Sequence, residues 1–296
     1  MRAVLAVVLS IAGLSCAPAL AACPPDGQSR ESLQALKALQ WTVPDAAERQ
    51  ALAQGLVECL GDADPAMRDG LAYEGLAHWM RAGAIDELGL RTLRDRLYEL
   101  VRGEDPDGFR RPFAALVLSE VARTDRVAPW MTPEERGAMV EAASRYLESV
   151  TDYRGFDDTE GWRHGVAHGS DWLMQLALNP ALDRGQLDRM RTAIASQVVP
   201  ATPHAYVFGE PGRLARPVLY IAKRGLHTEA EWNAWMTGLA PRLGEAKLAY
   251  ADAAWLARRH DLLAFFSALY LEADRSDDAQ LQALEPAVVA GLKAVP

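Results

Sequence analysis

The chain has 296 residues, half of them apolar, and 40 acidic against 31 basic side chains, for a formal net charge of −9. That aliphatic mass suffices for a large continuous core and excludes a disordered chain. The basic residues form no run or stripe that could follow a phosphate backbone, so nucleic acid is not an expected partner. Ala and Leu dominate while strand-forming runs are scarce, which predicts an all-α class.

Met1 and Arg2 precede an apolar run from Ala3 to Leu14, followed by Ala19-Leu20-Ala21. This is the layout of a secretory signal peptide over residues 1–22. The run is too short to span a bilayer stably, and no transmembrane helix is expected in the mature chain. The expected location is periplasmic or secreted. Leu20-Ala21-Ala22-Cys23 also reads as a lipoprotein box, which would anchor the chain through Cys23. Cys16 leaves with the signal, so the mature chain keeps Cys23 and Cys59, an even pair in an oxidising compartment. Their expected use is a disulfide closing a loop of about 37 residues; lipidation of Cys23 is the alternative.

From residue 29 the chain reads as amphipathic helices over 29–40, 45–60, 65–82, 86–102, 108–123 and 133–150. Asp64-Pro65 and Thr132-Pro133 each put a capping side chain before a proline at the first helical position, and Thr132 with Glu135 forms a capping box. Asp64-Pro65 leading to Arg68 and Asp105-Pro106 leading to Arg110 stand 41 residues apart, a period suited to a HEAT type of repeat. Two ordinary capped helices are the plainer reading.

A helix is then predicted over 158–178, ending where Asn179 can cap and Pro180 cannot continue. Wound at roughly 100° per residue, His164, His168, Asp171 and Gln175 fall within about 60° of one another. Trp162, Val166, Trp172, Leu173 and Leu176 take the opposite side. Gly161, Gly165 and Gly169 mark an edge where another helix approaches closely. Further helices are expected near 184–198, 213–224, 229–241, 246–273 with a break by His260, and 277–293, with Thr228 and Glu231 as a second capping box. The irregular joint 200–213 carries His204, Tyr206, Glu210 and Arg213. About twelve helices stacked in pairs give a right-handed α-solenoid of HEAT or armadillo type, a single domain over 23–296.

Two imidazoles and a carboxylate on adjacent turns, His164, His168 and Asp171, are ligands that suit a divalent metal such as zinc. Gly165 stands where a zincin protease carries its general-base glutamate, which excludes that motif. The same face, with Trp162, Gln175 and Arg154, also reads as a metal-free ligand pocket, or as a polar network satisfied by arginines, backbone carbonyls and water. Glu210 and Asp157 are the candidate general bases, although an ion pair with Arg213 explains Glu210 more simply. His204 is a candidate third imidazole ligand.

The chain resembles the bacterial family named domain of unknown function 2785. The resemblance rests on Asp64-Pro65 with Arg68 to Glu74, on Arg154-Gly155 with Gly161-Trp162-Arg163-His164-Gly165-Val166-Ala167-His168 and Asp171, and on Glu210 with Arg213-Leu214-Ala215. It implies a helical, repeat-like fold and no activity, and it marks Trp162, His164, His168 and Asp171 without giving them roles. The expected function is an exported binding or interaction module whose polar pocket receives a small molecule, peptide or envelope protein. The alternative is a metal-dependent hydrolase in which His164, His168 and Asp171 hold the cation that activates water.

Overall fold

The structure is a computed structural model that describes residues 23–296. The predicted signal peptide, residues 1–22, lies outside the described residues. The described chain is mostly helical: α1 (Arg30–Ala38), α2 (Ala46–Leu56), α3 (Pro65–Met67), α4 (Glu74–Arg81), α5 (Glu87–Arg102), α6 (Arg110–Val127) and α7 (Pro133–Ser149) precede the central helix α8 (Gly165–Ala177). It is followed by α9 (Arg184–Val198), α10 (Glu210–Lys223), α11 (Glu229–Thr237), α12 (Ala253–Asp274) and α13 (Ala279–Ala294). Among the described residues no helix is long and apolar enough to cross a membrane.

Local chemistry sets most of the boundaries. Asp64 caps α3 through Ala66 N with Pro65 in the first turn, and Thr132 and Thr228 form their capping boxes with Glu135 and Glu231. α3 runs into α4 through a π-helical turn, Arg68–Tyr73. Asp105 does not repeat the role of Asp64. Its carboxylate holds Gly108 N and Arg111 N in a loop, and the helix begins only at Arg110, so the two Asp-Pro segments are not copies of one unit. The break expected by His260 is also absent. α12 passes through it unbroken, because the chain has already turned at Gly244 and Tyr250, both with left-handed φ, before Asp252 caps the helix.

α4, α6, α8, α10 and α12 pack successively against one another, while α5 lies on α6, and α7 and α9 pack together behind α8. One cluster of buried apolar side chains runs from Leu33 to Val288 through all of these layers. Cys23 and Cys59 form a disulfide, so the sulfur that a lipid anchor would need is bonded within the chain. It ties the segment before α1 to the turn after α2.

Candidate functional site

The segment before α8 is a small hairpin, and the helix expected from residue 158 starts seven residues later. Asp157 accepts from Thr159 N and Glu160 N at 2.8 and 2.9 Å, which closes a turn between β1 (Phe156–Asp157) and β2 (Gly161–Trp162). Gly161 has φ +74°, which L side chains rarely adopt and which a right-handed helix cannot use. Arg163 N and His164 N then donate to Gly155 O and Arg154 O, extending the pairing past the strands. His164 itself sits at φ 59°, ψ 40° as the N-cap of α8, and its carbonyl accepts the first helical bond from His168 N at 3.0 Å. Histidine is among the few residues that enter this left-handed region without prohibitive strain.

The hairpin is held down by two arginines. Arg68 is fully buried in the π-helical turn, donates to Asp62 O and, at 2.8 Å, to Glu160 O, and pairs with Asp69. Arg163 donates to Asp107 O and pairs with Glu160. Both guanidinium groups lie 4.1 Å from the centre of the Phe109 ring, so cation–π attraction adds to the hydrogen bonds. The segments 64–74 and 154–171, distant in sequence, meet here: Pro65 and Arg68 lie against Gly161.

The two histidines of α8 each find a partner. His168 Nδ1 lies 3.2 Å from Pro112 O, and His164 Nε2 lies 3.2 Å from Phe208 O. A carbonyl only accepts, so these two nitrogens carry the ring protons. His164 Nδ1 and His168 Nε2 are left as lone pairs. The rings stand 6.0 Å apart. Burial first, with the Arg213 charge adding to it, pushes the His164 imidazole down to about 4. Burial, then His164 and Arg213, pushes His168 down to about 3. Both are neutral at physiological pH. Trp162, expected opposite the histidines on a helix, lies on a strand instead and stacks on His164 at 4.3 Å. Phe156 and Phe208 pack in turn against the Trp162 ring, at 5.0 and 6.0 Å.

Asp171 is bound bidentately by Arg213 from α10, and Gln175 accepts from Arg126 of α6 at 3.2 Å. α10 starts at Glu210 rather than at residue 213, which places Glu210 in its first turn. The expected Glu210–Arg213 pair is therefore replaced. Glu210 accepts from Phe208 N at 3.0 Å and stands 3.8 Å from His164 Nε2, with burial raising its affinity for a proton. Arg154 is exposed and pairs with Asp152. Asp157 is exposed on the hairpin turn, where its carboxylate is used by backbone amides, and does not reach the histidines as a base. His204 stacks on Tyr153 at 5.0 Å, apart from the other two imidazoles.

The metal triad does not assemble. Asp171 is engaged by a guanidinium, each imidazole is oriented by a carbonyl, and among the described residues no group of three His, Cys, Asp or Glu side chains is placed to hold a cation. The glycine edge is real in part. A Cβ on Gly169 would come within 3.0 Å of Tyr146 and 3.1 Å of Leu147, so α7 approaches α8 closely there.

Two clefts lie next to this polar set, lined by its neighbours Gly165 and Arg213 and not by His164, His168, Asp171 or Gln175 themselves. Beside the start of α8, Arg111, Arg163, Asp105, Asp152, Tyr146 and Gly165 line a cleft of about 170 Å³. Beyond Arg213 a larger cleft of about 770 Å³ lies between α10 and α12, with Met174 of α8 at its edge. Sequence reasoning missed Phe208, Pro112 and Phe109, which carry no local signal because they act through a carbonyl or a ring brought from elsewhere.

A family model described as protein of unknown function (DUF2785) matches residues 97–271. No curated protein and no solved structure matches the chain.

Proposed function

The chain belongs to the DUF2785 family of proteins of unknown function, and we propose that it is an exported α-solenoid that acts by binding, with the face of α8 as the wall of its ligand site. The observation that carries this is a buried, fully partnered polar set between two clefts that its neighbours Gly165 and Arg213 line. His164, His168, Asp171 and Arg213 are each locked by a partner, and the two clefts begin at Gly165 and at Arg213. A preorganised wall of this kind lowers the ordering cost of binding. The solenoid reading draws on the successive packing of α4, α6, α8, α10 and α12 and on the core that runs through them, which also favours one domain over 23–296. Export draws on the layout of residues 1–22 and on the disulfide.

Differential scanning fluorimetry of the 23–296 protein tests the binding function against a fixed panel of amino acids, dipeptides, mono- and disaccharides, and di- and tricarboxylates, with Asp171→Asn alongside. At least one class should raise the wild-type Tm saturably and lose most of that effect in the variant. No saturable shift, or one that the variant keeps in full, overturns it. Fractionation of the full chain in a Gram-negative host tests export: the product should be extracytoplasmic and shorter by about the predicted signal. A full-length cytoplasmic product overturns that part.

A further inference from the structure

We infer that the cleft between α10 and α12 docks an acidic amphipathic peptide segment of a partner protein, with carboxylates about one helical turn apart that meet Arg216 and Arg275; the inference rests on the reading of the chain as a binding protein. On α10 the cleft is edged by Arg213, Arg216, Tyr220 and Lys223, a single stripe that spans about 15 Å along the helix. On α12 it is edged by Leu271, Glu272 and Arg275. Four cations meet Glu272 of the lining and the paired carboxylates of Asp171 and Asp278, which leaves the groove one formal positive charge on a chain whose net charge is −9. Arg213 and Lys223 already have partners, Asp171 and Asp278. Arg216 and Arg275 are exposed and, among the described residues, have no carboxylate within ion-pair distance. Arg216 is also close enough to Arg213 for the two charges to repel.

Like charges gathered in this way favour an anion that spans them. The floor decides what kind of anion. Met174, Leu219 and Leu271 put apolar surface between the cations, and Leu271 is 47% exposed, a large aliphatic side chain left in water at the groove's edge. A bare phosphate or a small dicarboxylate would leave that surface uncovered. A helix presenting two acids three or four residues apart, with aliphatic residues between them, suits the two unpaired cations, Arg216 and Arg275, and the floor.

The test is a selection of random 12-residue peptides displayed on phage against the immobilised 23–296 protein, with counter-selection on an Arg216→Glu/Arg275→Glu variant. Neither arginine is buried or paired, so the variant should match the wild type in circular dichroism. Enriched peptides should be net negative, with acids three or four residues apart and aliphatic or aromatic residues between. By fluorescence anisotropy an enriched peptide should bind the variant at least tenfold more weakly and lose affinity between 50 and 300 mM salt. Neutral or basic enriched peptides, unchanged affinity in the variant, or no enrichment overturns the inference. So does salt-sensitive binding of phosphatidylglycerol vesicles or inorganic phosphate without peptide enrichment. A saturable fluorimetric shift beside a failed selection would leave the broader binding function standing and remove only this one.

Discussion

Replacing both histidines of the wall, as His164→Asn with His168→Gln, should flatten the acid branch of the stability curve. In the folded chain the two imidazoles titrate near 4 and 3, against an ordinary value of 6.5. Between pH 6.5 and about 4 the unfolded chain therefore binds protons that the native chain does not, so stability is complete above that window and falls as the pH falls through it. At pH 5 the proton uptake of the unfolded state costs about 2 kcal/mol per histidine, or about 4 kcal/mol for the pair, relative to neutral pH. Asp261 works in the opposite direction: burial raises its carboxyl to about 7, and its protonation stabilises the native state as the pH drops. The informative quantity is thus the difference between wild type and variant, in which Asp261 cancels. Urea unfolding followed by circular dichroism at pH 7 and pH 5 measures it. Asn tolerates the left-handed position of His164, and Gln keeps a donor for Pro112 O. The wild type should lose about 4 kcal/mol more than the variant on going to pH 5. Equal losses would refute the claim that burial holds both rings neutral.

Arg68→Lys should loosen the hairpin before anything else, because an ammonium cannot reach Asp62 O, Glu160 O and Asp69 together. The expected cost is roughly 3 kcal/mol, from carbonyls left without donors. Amide exchange over 156–162 should rise first, and unchanged protection there would count against the tie. Reduction of the Cys23–Cys59 bridge should lower Tm by roughly 7 °C, from the entropy returned to the unfolded chain by opening a loop of about 37 residues. An unchanged Tm in reductant would mean that the bridge constrains nothing that unfolding releases.

What the sequence made legible was whatever neighbouring residues decide. α9 runs from Arg184 to Val198 as expected, since Asp183 and Gln186 form a capping box and the apolar stripe ends at Val198. The central helix starts later than its sequence suggests because a helical repeat of polar and apolar residues continues back to Asp158, while the force that unwinds it is remote. Arg68 takes Glu160 O from 92 residues away, and Gly161 supplies the backbone freedom that this position needs. Glu210 and Arg213 looked like a local pair at helical spacing, yet Asp171, 42 residues earlier, presents a better-placed carboxylate. The residues of the candidate site were legible as types, but their partners were not.

The bond from Arg68 to Glu160 also orders events in time. A chain made from its N-terminus completes the π-helical turn with a buried cation whose distal acceptor does not yet exist. Without residue 160 one nitrogen of that guanidinium has water as its only acceptor, while Asp62 O and Asp69 hold the others. The first four helices thus hold their full set of native bonds only with the hairpin in place, a contact that closes a loop of some ninety residues.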